Sequence, residues 1–120
     1  MDRDRFNILV DERIQQCINV LVAKDKEYSR NNDRFHNFKK TARIDGETPE
    51  RALWGIWKKQ LVSIIDMVDD LDDPSASLPS LALLDEKFND NHNYLYLLEG
   101  LLRERIEDAK DEKAIKLSFL

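Results

Sequence analysis

Helix-breaking residues are almost missing from this chain: three glycines and three prolines punctuate 120 residues. With so few breakers and few β-branched runs, the apolar residues can recur only at helical spacing over long stretches, so the sequence predicts an all-α fold. Four to five helices fit the length. Hydrophobic residues make up 42% of the chain, enough for one core, so residues 1–120 are read as a single helical domain. A chain this short buries only part of its surface, which leaves helix faces available to a partner subunit.

The pattern divides the chain as follows. A first helix runs from about Arg5 to about Lys26, with Val10, Ile14, Cys17, Ile18 and Leu21 on one side. Ser29–Asp33 is a polar loop. A short helix, Arg34 to about Ile44, ends at Asp45-Gly46, where glycine suits a left-handed cap. Thr48-Pro-Glu50 is a helix start: a capping hydroxyl, a proline at the first position and an acid facing the dipole. That helix continues to about Leu71. Its apolar arc of Leu53, Ile56, Trp57, Leu61, Ile64, Met67, Val68 and Leu71 covers half the circumference, so it is expected to be the most buried. Two prolines make residues 72–80 a loop. A last helix starts between Ser80 and Leu84 and runs to about Asp108, with Leu84, Phe88, Leu95, Leu98, Leu102 and Ile106 as its core face. Residues 109–120 form a tail, either docked on a partner or frayed.

Charge and cysteine usage narrow the function. Lys and Arg number 19 against 24 Asp and Glu, a net charge of −5. No basic stripe is present to neutralise a nucleic-acid backbone, so neither DNA nor RNA is an expected partner. Cys17 is the only cysteine, which rules out an internal disulfide and suits a reducing cytoplasm. The N-terminal residues lack an apolar signal core, and no apolar run approaches the roughly 20 residues of a membrane span. Phosphate loops, dinucleotide fingerprints and nucleophile elbows are absent.

Three groups of residues can carry chemistry. Glu86 and Asp90 are four apart, hence on one helix face about 6 Å from each other, with Asn93 a turn further. Lying at the margin of the apolar arc, such acids can face a cleft and bind a hard cation, although a solvated helix edge has the same pattern. Lys59, Ser63 and Asp66 form a polar stripe on the third helix, where a lysine can meet a phosphate and an aspartate can add a metal ligand; an exposed stripe is the plain alternative. Tyr28 and Asp33–Lys39 are rich in rings that stack on a base and amides that read its edge, or else anchor a loop. His36 and His92 are not spaced as a zinc pair, and a cysteine on an apolar face is ordinarily core.

In order and spacing, Lys26-Glu-Tyr28, Asp33-Arg-Phe-His-Asn-Phe-Lys39, Thr48-Pro-Glu50, Lys58–Asp66, Asp85–Asp90 and Asn93-Tyr-Leu95 resemble the phage and bacterial nucleotide-modification-associated domains. These are similar to the MazG-like all-α nucleotide pyrophosphatases. The resemblance spans about residues 26–102. It implies an oligomeric helical bundle and Mg²⁺-dependent cleavage of a nucleoside triphosphate to monophosphate and pyrophosphate, with a metal-activated water as nucleophile. Carried over, Asp90 matches the last acidic ligand, Glu86 and Asp90 act catalytically, and Asp66, Glu86 and Asp90 hold Mg²⁺. Asn37, Lys39, Lys59 and Lys87 bind the nucleotide. The chain departs from the motif at Lys87, where the family places an acid, and at Lys59 and Ser63, where the preceding helix carries an acidic pair. Lysines at those places imply direct phosphate contacts. The rival expectation is a non-catalytic helical accessory protein that keeps the bundle and binds another protein; a DNA-binding domain ranks below both.

Overall fold

The computed structural model describes residues 1–119 and consists of four helices: α1 (Arg3–Tyr28), α2 (His36–Asp45), α3 (Pro49–Asp70) and α4 (Leu81–Ser118). Each start is set by a side chain that satisfies an otherwise free amide. Asp2 accepts from the Arg5 N–H (2.8 Å), Thr48 from the Arg51 N–H (3.2 Å) and Ser80 from the Leu83 N–H (3.1 Å). Pro49 fills the first position of α3. Gly46, at φ 67°, closes α2 in the left-handed conformation, and the Glu47 N–H returns to the Ala42 carbonyl (2.9 Å).

Between α1 and α2 the expected loop is a tight turn. Arg30 and Asp33 exchange two backbone hydrogen bonds (3.1 and 2.9 Å) around Asn31 and Asn32, both at positive φ. Asparagine tolerates that conformation better than most residues, which is why two stand here in sequence. Asp33 then accepts from the Phe35 N–H (3.0 Å) and from Lys39 Nζ (2.8 Å), fixing the turn to α2.

Phe38 of α2, Leu53 and Trp57 of α3 and Leu101 of α4 form the buried centre, joined by Phe35, Leu61, Tyr94, Leu97 and Leu98. Trp57 stacks near Tyr94 (centroids 6.4 Å apart) and meets the edge of Trp54 (5.4 Å). α3 packs on both α2 and α4, and α1 packs on α4, so α4 is the spine. Gly100 is required at the α4–turn contact: a Cβ there would lie 2.6 Å from Cζ of Phe35.

Among the described residues the helices number four, within the expected four to five. One boundary and several faces differ from the sequence reading. α4 runs unbroken to Ser118 instead of ending near Asp108, and the described tail residues 109–119 are all exposed. α3 is buried only in its first half, at Ala52, Leu53 and Trp57, whereas Val62, Ile65, Val68 and Leu71 are each more than half exposed. On α4 the inward line is Asn89, Asn93, Leu97 and Leu101, while Phe88, Leu95, Leu102 and Ile106 face outward. The expected stripe is thus covered only at Leu98 and in part at Leu84, and its polar margin turns inward.

The protomer is correspondingly open. Its accessible surface is 9450 Å², against roughly 6,700 Å² for a compact monomer of its mass. Its radius of gyration is 18.8 Å, where about 14 Å is usual for this length. Among the described residues no helix is long and apolar enough to cross a membrane.

Candidate functional site

A cavity of about 350 Å³ opens where all four helices and the turn converge. α1 contributes Val20, Leu21, Lys24 and Tyr28 along little more than two turns of its inward edge. The turn gives Arg34, α2 gives Asn37 and Phe38, and α3 gives Ile56 and Gln60. α4 closes the wall with Asp90, Asn93, Tyr94 and Leu97. The volume lies at the lower end of ordinary small-molecule sites, roughly 300–1,000 Å³.

The wall pairs apolar rings with a few polar groups, and two of those groups have no partner. Asn93 is 6% exposed, and neither its Oδ1 nor its Nδ2 makes a hydrogen bond. Arg34 Nη1 is likewise buried and unpartnered, and its Nε lies a long 3.5 Å from Asp25 Oδ1. A buried polar group left unsatisfied costs about 1–3 kcal/mol, so a cavity holding such groups is suited to a ligand that completes them. Asn89, one turn before Asn93, also has an unpartnered buried Oδ1 and faces α1, where its carbonyl is 4.0 Å from Cys17 Sγ.

The electrostatics follow from burial. The Asp90 carboxyl is pushed above its ordinary value, first by desolvation and then by the neighbouring Glu86, with Lys24 and Lys87 opposing. The Tyr94 hydroxyl is raised by burial and by the nearby Asp90 and Tyr28. Burial also raises the Cys17 thiol, so this side chain stays protonated and inert in the α1–α4 contact. Lys24 lies over the Tyr28 ring, 5.5 Å from its centroid.

Of the sequence candidates, Asn37 and Asp90 line this cavity. Glu86 is exposed one turn earlier, and Asp66 and Lys59 are exposed on α3. Lys87 donates to Gln60 Oε1 (3.1 Å) and sits 3.8 Å from Glu86, holding α4 to α3. Beside it Asn91 accepts from Trp57 Nε1 (2.9 Å) and donates to the carbonyls of Gln60 and Lys87. Lys39 is held between Asp33 and Glu104, tying turn, α2 and α4 together. Both lysines therefore serve packing between elements in this protomer.

Among the described residues no three Asp, Glu, His or Cys side chains gather as metal ligands, and of the three carboxylates named for Mg²⁺ Asp90 alone lines the cavity. One protomer's donor set thus does not fit a carboxylate-held magnesium ion, which needs several oxygen ligands in near-octahedral order. Reading by side-chain type missed Lys24, and it named Arg34, Asn93 and Tyr94 within segments without assigning them to a site. The available signal was spacing: Lys24 and Tyr28 continue the inward line of α1 beyond Leu21, and Asn89 and Asn93 interrupt the line that ends in Leu97 and Leu101.

The fold is all-α, with a cavity between its helices. Comparison with known protein families, curated proteins and solved structures finds no match.

Proposed function

We propose that the chain is a nucleotide-binding protein of the MazG-like class, with the ligand seated in the cavity between the four helices. The observation that carries the reading is the Asn93 carboxamide: buried, lining the cavity, with donor and acceptor both unused. A nucleobase edge presents an adjacent donor and acceptor and can satisfy both at once. Tyr28 and Tyr94 offer aromatic faces, and Lys24 and Arg34 offer positive charge for a phosphate.

The reading is tested by thermal shift with a panel of nucleosides and nucleotides. A ligand that binds only the folded chain raises Tm by mass action. Asn93→Leu replaces an unsatisfied amide with an apolar group of similar size. It is expected to keep or raise the ligand-free Tm while removing the nucleotide-induced shift; a shift that survives unchanged in this variant refutes the role of Asn93. The hydrolytic form of the proposal, Mg²⁺-dependent release of pyrophosphate, requires further carboxylates, which a second subunit would have to supply. Its test is pyrophosphate release from canonical and modified triphosphates, lost in Asp90→Asn.

The second reading is a non-catalytic helical module that acts by binding another protein or its own copies. It is favoured by the uncovered apolar faces of α3 and α4 and by the excess surface of the protomer. No thermal shift with any nucleotide, together with a stable assembly, would select it.

A further inference from the structure

We infer that the cavity holds a ligand's phosphate group directly on Arg34 and Lys24, without a divalent cation between protein and phosphate. The inference rests on the nucleotide reading above and departs from the magnesium expected by resemblance. Arg34 stands at the exit of the turn, locked in place by the Asn31-Asn32 geometry and by Asp33. Its Nη1 is buried without a partner, and its one ion-pair contact among the described residues, to Asp25, is a long one through Nε. Arg34 lines the cavity with hydrogen-bonding capacity unspent, and a guanidinium fork matches a phosphate with two parallel hydrogen bonds.

Lys24 lines the same cavity and makes no ion pair among the described residues. Arg13, Lys39, Lys87, Arg103 and Arg105 are in contrast each bound to a carboxylate elsewhere. Two cations thus line the cavity against the single carboxylate of Asp90. That balance favours an anion approaching bare, whereas a cation-bridged phosphate needs the opposite excess. Asn93 supplies the independent sign that this space takes a ligand, with its amide placed for the neutral part of the molecule.

The test is equilibrium binding of the full chain to nucleosides, their monophosphates and inorganic phosphate, each in excess EDTA and in millimolar Mg²⁺. The best monophosphate should bind at least about tenfold more tightly than its nucleoside in EDTA, the scale of a charge-assisted bidentate contact. Magnesium should change that affinity by less than about twofold. Arg34→Gln should erase the advantage of the monophosphate and leave nucleoside affinity and the circular-dichroism spectrum unchanged; Arg34→Lys should restore part of it. A monophosphate advantage that appears only with Mg²⁺, or persists in Arg34→Gln, overturns the inference while leaving nucleotide binding intact. Inorganic phosphate competing as well as the nucleotide would support the metal-free anion site but overturn the nucleotide reading. Binding of nothing in the panel overturns both.

Discussion

At the scale of single residues, identity and environment part company. Lys39 and Lys87 carry the charge a phosphate needs, yet their amines are taken by Asp33 and Glu104 and by Gln60. Asn93 carries no charge and is the group left waiting. Gly100 shows the same dependence on surroundings. A glycine inside a helix ordinarily costs about 1 kcal/mol relative to alanine, so Gly100→Ala would be stabilising in an isolated helix. Here the added methyl meets the Phe35 ring, which is itself packed on the core, and overpacking of this kind costs about 1–3 kcal/mol. Gly100→Ala is expected to lower stability in urea titration; a gain would show that Phe35 yields freely. Asp90 gives a pH-dependent prediction. Its carboxyl is raised in the folded chain, so the protonated form is the one folding favours, and its contribution is present at acid pH and lost as pH rises through the raised value. Asp90→Asn stays neutral throughout. It should therefore be more stable than the parent at neutral pH, with the gap closing below the ordinary aspartate range. A gap of constant size across that titration would contradict the desolvated placement of Asp90.

At the scale of elements, the starts and stops were legible because they are local. Thr48-Pro49, Ser80 and Gly46 act through hydrogen bonds within three or four residues, and each does what its sequence signal says. The faces were not legible in the same way. α4 has two candidate stripes. In the more apolar one Phe88, Leu95, Leu102 and Ile106 point outward and only Leu98 reaches the core, while Asn89, Asn93, Leu97 and Leu101 face the other helices. Periodicity reports that an apolar face must be covered, not by which chain. The C-terminal part of α4 has little to hold it beyond its own hydrogen bonds: residues 109–119 are exposed, and the last side-chain tie to another helix is the Arg105–Glu50 pair (2.8 and 2.7 Å). Backbone amides from Lys110 to Ser118 should exchange with solvent orders of magnitude faster than those around Leu97–Leu101, as measured by hydrogen exchange. Equal protection would mean that the tail is docked in solution.

At the scale of the whole molecule, the protomer exposes roughly 2,700 Å² more surface than a compact chain of its mass. Apolar side chains contribute to it on both α3 and α4: Val62, Ile65 and Val68 on one, Phe88, Leu95 and Leu102 on the other. A standard interface buries about 800 Å² per partner, so the excess is more than enough for a stable homo-oligomer. Sedimentation at micromolar concentration is expected to give a multiple of the 14.1 kDa chain, and Phe88→Glu with Leu95→Glu is expected to return it to one. A wild-type chain that sediments as a monomer would refute the assembly and leave the apolar faces to a different protein. Such an assembly would bury the α3 and α4 stripes and could bring the exposed Asp66 and Glu86 of different subunits into play; a loss of pyrophosphate release, if any is found, in the double variant would report that dependence.

By itself the sequence determined the helical class, the number of long helices and nearly every helix boundary. Breakers, caps and periodicity act over a few residues, and their energies do not depend on distant parts of the chain. Asn37 and Asp90, both named as candidates by the resemblance, line one cavity. Only the tertiary structure decided which face of α4 turns inward, which lysines are consumed, and that Arg34, Lys24 and Asn93 share one cavity. Those outcomes depend on packing between residues as many as 77 positions apart, from Val20 to Leu97, where the polar margin of one helix is turned inward against the edges of three others.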